Sequence, residues 1–221
     1  MLNKVKENIA ATIGVNFELI AIDNSIAKQG ICKVYNDAVG KATFDIVCFI
    51  HEDVLIHSNN WGQHLVTLFG DTSIGLAGVS GTVYKSAYPA VWSACDQSLY
   101  RINTIQHFEG QALAVKAVIN PLENSFDEVA VIDGIFLATR KEVIALFPFD
   151  ETMFTGFHCY DLDFSLSIGT KYKIVVTYAI LLEHFSEGHL NKNWLDDSLK
   201  LHKKWKAILP KQTGEINERI K

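Results

Sequence analysis

Apolar residues at Leu2, Val5, Ile9 and Ile13 recur at helical spacing, so residues 2–13 are predicted to form a helix that Gly14 stops. The next apolar stretch, FELIAID at 17–23, is short and β-branched and reads as a buried strand. A second helical segment runs to about Ala42. FDIVCFI at 44–50 follows, a continuous apolar run typical of a strand covered on both faces. Trp61 to Phe69 reads as a helix closed by Gly70, and GLAGVSGT at 75–82 as another strand. From about Ser86 to Glu128 the period is lost. Tyr88, Trp92, Tyr100 and Phe108 stand there without alternation, as in an insertion or a loop over a sheet. Order returns with VAVIDGIFLAT at 129–139, helix-like RKEVIALF, FDETMFTGFHCYDLDFSLSIG at 149–169 and a last strand, KYKIVVTYA at 171–179. Asn193 to Leu209 is predicted to be an amphipathic helix with Trp194, Leu201, Trp205 and Ile208 on one face. This strand–helix alternation predicts an α/β fold with a mainly parallel central sheet flanked by helices. One domain is expected over 1–221, with 189–221 as a C-terminal amphipathic helical tail.

Composition narrows the classes. The 221 residues are 48% hydrophobic and 20% charged, which excludes a disordered or collagen-like chain. A chain of this length buries roughly 70% of the surface its unfolded form exposes. No apolar run reaches the roughly 18 residues of a membrane span, and MLNKVKENIA lacks a signal peptide's apolar stretch, so a cytoplasmic protein is expected. Cys32, Cys48, Cys95 and Cys159 are far apart, with no C-x-x-C pair, which argues for reduced thiols rather than a zinc ribbon or disulfide framework. The net charge of −5 is uneven: residues 1–185 carry 12 basic and 20 acidic groups, and residues 186–221 carry 8 and 5. An acidic body is a poor surface for nucleic acid, whose affinity rests on phosphate neutralisation. The basic tail has two readings, a solvated helix face or a peripheral contact with an anionic membrane or a phosphate.

Candidate chemistry lies where strands end, because ligands of open α/β sheets bind beyond the carboxyl ends of the strands. FELIAID ends in Asp23-Asn24, and FDIVCFI in His51-Glu52-Asp53. If strand geometry persists, His51 and Asp53 share a face and Glu52 points away. A carboxylate there suits a hard cation, although an aspartate also caps a turn. In His158-Cys159-Tyr160-Asp161-Leu162-Asp163, a helix start would put His158 and Asp161 on one face and turn Asp163 elsewhere, so the two acids have different jobs. One can be a general base and the other can stabilise the helix start, or both can be caps. His184, in LLEHFSEGH beyond the last strand, is either a structural histidine or a third member of a group with Asp53 and Asp161.

FELIAIDN, FDIVCFIHEDV, VIDGIFLATRKEV, FDETMFTGFHCYDLDFSLS and HFSEG occur in the order seen in family-2-type glycosyltransferases of GT-A fold. From about Phe17 to Trp205 the chain resembles that family, and most closely its bacterial members with His-x-Asp-Val after the strand. The resemblance implies a Rossmann-like GT-A domain. It further implies an inverting, metal-dependent transfer from a nucleotide-diphospho-sugar, a UDP-sugar first among them, to a glycan or other hydroxyl acceptor in bacterial polysaccharide biosynthesis. By the same resemblance Asp23, Asn24, Asn36, His51, Glu52, Asp133 and Gly134 serve the nucleotide-sugar. Asp53 and His184 hold a divalent cation, Mn²⁺ or Mg²⁺, and Asp161 is the catalytic base. His158, Asp163 and Trp194 are assigned to the acceptor side. The chain departs from the pattern in lacking the usual first strand and in carrying Tyr35 for Arg, Tyr160 for Glu and His51 for Asp. A missing strand would expose a sheet edge, compatible with a homodimer that covers it. Two other classes remain open at this stage: a non-catalytic nucleotide-binding module, and a metal-dependent hydrolase built from His51, Asp53, His158, Asp161 and His184.

Overall fold

The structure, a computed structural model, describes residues 1–188 and 190–213. In chain order its elements are α1 (Leu2–Thr12), α2 (Ile31–Val39), β1 (Ile46–Ile50), β2 (Val54–Ile56), α3 (Trp61–Leu68), β3 (Ile74–Gly78), β4 (Ser80–Thr82) and β5 (Tyr84–Lys85). There follow β6 (Tyr100–Gln106), β7 (Val115–Ile119), β8 (Phe126–Glu128), β9 (Val131–Ile132), β10 (Phe136–Arg140), α4 (Lys141–Leu146), α5 (Tyr160–Ile168), β11 (Lys173–Thr177), β12 (Leu182–His184), α6 (Lys192–Trp205) and β13 (Lys211–Gln212).

The α/β class predicted from the sequence is present, with its sheet mixed rather than mainly parallel. The central sheet has the order β1-β10-β3-β11-β8. Only β3 and β11 are adjacent and parallel; β10 runs against both β1 and β3, and β8 against β11. Side chains alternate across it as a sheet buried on both faces requires. Leu76, Leu137, Ile174 and Val176 join α5 residues Phe164, Leu166 and Ile168 in one core cluster. Ala77, Phe136, Ala138 and Val175 join Val5 and Ile9 of α1 and Trp61 and Leu65 of α3 in the other. The helical stripe of α1 is therefore real, although Leu2 at its start is exposed.

A second sheet, β2-β12-β6-β4-β9 with β7 on β6, accounts for much of the 86–128 stretch that carries no legible period. One run expected as a single strand, and a second apolar run, divide between the sheets. GLAGVSGT breaks at Val79 into β3 and β4, and VAVIDGIFLAT breaks at 133–135 into β9 and β10. These crossings form a seam, and buried polar pairs fasten it further along. Arg101 of β6 reaches Asp127 of β8 at 2.8 Å, where Tyr178 Oη also donates to the carboxylate at 3.0 Å.

Two expected elements change. FELIAID is not a hydrogen-bonded strand: in place of a ladder, the Glu18 carboxylate accepts from the Thr43 and Phe44 backbone N–H groups and from Thr43 Oγ1. Its apolar side chains are accordingly half exposed: Phe17 38%, Leu19 39%, Ile20 38% and Ile22 41%. The last helix ends at Trp205 rather than Leu209, leaving Ile208 exposed while Leu201 is buried. The expected tail lies outside the described residues at His189 and 214–221.

α6 is held by charge as well as packing. Lys204 Nζ lies 2.8 Å from both Asp150 and Asp163, and Trp205 Nε1 donates to Asp163 at 2.7 Å. Burial pushes the Asp163 carboxyl up, so its ionised form depends on these partners. Removing one partner of a buried pair leaves the other uncompensated. Lys204→Met is expected to cost about 3 kcal/mol, read from the midpoint of urea unfolding at pH 7.

Candidate functional site

The site gathers along the seam. After β1 the chain turns at Glu52 into β2, and the His51 N–H donates to Ile135 O at 3.2 Å, tying the turn to the 133–135 crossing. β12 pairs antiparallel with β2 and parallel with β6, placing His184 opposite Val54 and Gln106. Glu183 accepts from His57 Nε2 at 2.8 Å and from His107 Nε2 at 2.7 Å, which fixes β12 between its neighbours.

His51, Asp53 and His184 form one group. Asp53 Oδ1 lies 3.7 Å from His184 Nε2 and 4.0 Å from His51 Nδ1, beyond hydrogen-bond range. The rings are 5.7 Å apart, and one ligand atom of each residue lies within 4.8 Å of the others. His184 is 6% exposed, and its Nε2 is a buried polar atom with no hydrogen-bond partner among the described residues. Burial also pushes its pKa down, against the pull of Asp53, which favours the neutral ring. A neutral buried imidazole with an unused nitrogen, beside a second imidazole and a carboxylate, fits a divalent cation.

The second half of the site is built on α5. Asp161 lies in the first turn, where the helix dipole favours a carboxylate, and its Oδ2 accepts the Gly134 N–H at 3.0 Å. Desolvation and the nearby Asp133 charge nevertheless push its pKa up to about 7. Asp133 takes the Ile135 N–H at 3.0 Å and the Trp92 indole N–H, so the 86–99 segment is fastened to the crossing. Tyr160 Oη donates to Gly134 O at 3.2 Å and lies 3.0 Å from His51 Nε2. The Gly134 backbone thus touches Asp161 directly and the metal group through Tyr160, and a Cβ there would sit 2.6 Å from Tyr160 Cζ and 3.2 Å from Asp161 Cβ. That close approach is why the position is glycine.

The structure distributes the other expected residues variously. Glu52 is exposed on the turn, and His158 is half-buried before α5. Asp23 accepts the Ser25 N–H in an exposed turn, and Asn24 closes the same loop through both its donor and its acceptor to Gln29. Asn36 spends its amide on Phe149 and Glu151. Asp163 is buried against Lys204 and Trp205, and Trp194 sits half-buried in the first turn of α6, where Asn191 caps its N–H. His51, assigned above to the nucleotide-sugar, stands with the metal group. Gln106 was not legible, because it ends a strand inside the aperiodic stretch.

A family profile described as "Glycosyltransferase like family" matches residues 3–207. No curated protein sequence matches the chain. A crystal structure of GalNAc-T7 with UDP, GalNAc and Mn²⁺ is similar at a TM-score of 0.56 and 11% identity, over 80% of this chain and 36% of that one. The likeness is one of fold, that of a GT-A glycosyltransferase.

Two outcomes follow from the geometry. Gly134→Ala forces Tyr160 and Asp161 apart from the crossing and is expected to cost about 1–3 kcal/mol in urea unfolding, the range for overpacking. Because the fold raises the Asp161 pKa, the folded state holds its proton at pH values where the unfolded chain has released it. Stability should therefore fall as pH rises from the ordinary carboxylate range to about 7. Asp161→Asn should remove that part of the slope, seen as a smaller fall in melting temperature between pH 5 and pH 8.

Proposed function

The chain belongs to the glycosyltransferase like family, and from that premise we propose that it moves a sugar from a nucleotide-diphospho-sugar to a hydroxyl acceptor with inversion. The observation that carries this reading is a His–Asp–His group linked, through Tyr160 and the Gly134 backbone, to a carboxylate whose pKa is raised to about 7. The similar structure contains UDP and Mn²⁺, which supports a UDP-sugar donor and a divalent cation here.

In this reading Asp161 is the base. An acceptor hydroxyl is a weak nucleophile, and the carboxylate removes its proton as the new oxygen–carbon bond forms. The bond from the anomeric carbon to the diphosphate breaks in the same step, and its electron pair leaves with the diphosphate. A single displacement inverts the carbon. His51, Asp53 and His184 are the residues that would hold the cation, which when bound supplies positive charge for the leaving diphosphate. Asp133 and Gly134 shape the wall between the two halves, with Trp92 fastened above them.

The test couples binding with turnover. Thermal unfolding against UDP, GDP, CDP and dTDP, each with Mn²⁺ or with EDTA, should show a metal-dependent shift of roughly 5–10 °C for one nucleotide at 100 times its dissociation constant. Asp53→Asn should abolish it. With that donor and an accepted hydroxyl compound, kcat/KM should rise with pH and level off above about 7, because only ionised Asp161 can take the proton. Asp161→Asn should lower kcat by roughly 10²- to 10⁴-fold. A nucleotide shift without turnover would return the chain to the non-catalytic binding module, and metal-dependent cleavage without an acceptor would return it to the hydrolase.

A further inference from the structure

Two residues outside the metal group touch it from behind, and each brings an oxygen to a histidine nitrogen. Gln106 stands beside His184 in the parallel β6–β12 pair, with its Oε1 3.0 Å from His184 Nδ1. The Gln106 amide nitrogen donates to two carbonyls, His107 O and Ser186 O, both at 2.7 Å. Carbonyls have no proton to give, so the amide cannot be turned round without setting oxygen against oxygen. Its Oε1 therefore faces the histidine and takes a proton from it. In a neutral ring that leaves Nδ1 protonated and Nε2 with its lone pair free. Nε2 is the buried atom without a hydrogen-bond partner among the described residues, on the Asp53 side.

The same reasoning applies to His51 from the other side. The buried Tyr160 hydroxyl has one proton and also hydrogen-bonds the Tyr35 hydroxyl, which has a proton of its own to give. Gly134 O at 3.2 Å can only accept and is assigned the Tyr160 proton. The hydroxyl lone pair then accepts from His51 Nε2 at 3.0 Å. In a neutral ring His51 is thus protonated on Nε2, with the lone pair on Nδ1, the nitrogen that faces Asp53 Oδ1.

We propose that Tyr160 and Gln106 are positioning residues that lock His51 and His184 in opposite tautomers, so that two imidazole lone pairs and the Asp53 carboxylate converge on one cation before it arrives. The inference rests on the metal-binding reading above and adds what prepares the site. Histidines that hold metals are generally oriented by the acceptor of their other N–H, and loss of that acceptor weakens binding by roughly 10- to 100-fold. Here the acceptors come from different places: a glutamine on a strand of the second sheet, and a tyrosine on the helix that also carries Asp161. Tyr160 stands where the sequence pattern would have an acid. As a neutral acceptor it orients His51 without adding a negative charge beside Asp161, whose pKa is already raised.

The first experiment needs neither metal nor activity. In the metal-free full chain at pH 8, long-range proton–nitrogen correlation of the imidazole rings should show His51 protonated on Nε2 and His184 on Nδ1. Either ring in the other tautomer, or averaging between the two, overturns the proposal. The second experiment titrates Mn²⁺ alone, followed by electron paramagnetic resonance, in wild type, Tyr160→Phe, Gln106→Met, Gln106→Glu and His184→Ala. Tyr160→Phe and Gln106→Met should bind roughly 10- to 100-fold more weakly than wild type. Gln106→Glu keeps an acceptor for His184 but sets its second oxygen against the two carbonyls, so it should recover only part of the affinity lost in Gln106→Met. Equal loss in Gln106→Met and Gln106→Glu would mean that the residue only braces its strand, and wild-type affinity in Tyr160→Phe would sink the tyrosine half. A wild type that binds Mn²⁺ no better than His184→Ala sinks the metal reading, and the purpose of both residues with it. A wild type that binds well while the rings sit in the wrong tautomers sinks the positioning alone.

Discussion

The backbone of Gly134 is the constraint on which the rest of the site depends. Its N–H goes to Asp161, and its carbonyl takes the proton of Tyr160, whose oxygen lies 3.0 Å from His51. No side chain fits there, because the ring of Tyr160 and the Cβ of Asp161 occupy the space. The approach is possible because the chain crosses from one sheet to the other at this point, and a crossing strand leaves peptide groups that neither ladder uses. Those spare groups are what the site consumes.

The surrounding architecture serves to hold that crossing still. Two apolar clusters grip the central sheet from its opposite faces, one through α5 and the other through α1 and α3. Arg101 and Asp127, both almost wholly buried, join the second sheet to the first at 2.8 Å. α5, which carries Tyr160 and Asp161 at its start, is anchored through Asp163 to Lys204 and Trp205 of α6. The two acids of one short helix thus divide: Asp161 stays at the site while Asp163 fixes the helix that presents it.

What was legible in the sequence was what local pattern encodes. The apolar runs at 44–50 and 171–179 contain strands, although β1 lies at the sheet edge with only Phe49 fully buried, and the α1, α3 and α5 segments are helices. His51, Asp53 and His184 come together, whereas the sequence alone groups Asp53 and His184 with Asp161. The sequence could not show where GLAGVSGT changes sheets, because no proline, asparagine or aspartate marks a turn at Val79. It could not show that FELIAID lacks a ladder, because strand pairing is a long-range property and Glu18 takes over the neighbouring donors. Asn36 looked like a binding residue and is spent on the 149–151 loop, a contact 113 residues away in the chain. Gln106 had no local signal at all.

The seam has a further consequence for the order in which the molecule can form. His51 follows a strand of the central sheet, His184 ends a strand of the other, and Tyr160 meets His51 across 109 residues of chain. Contacts so distant in sequence carry a large loop-closure cost and are made late. Either sheet could gather its own strands without producing a single complete ligand set. If the proposed group does hold a cation, that capacity would be a property of the finished fold alone, and an ion held there would draw the folding equilibrium toward that end state.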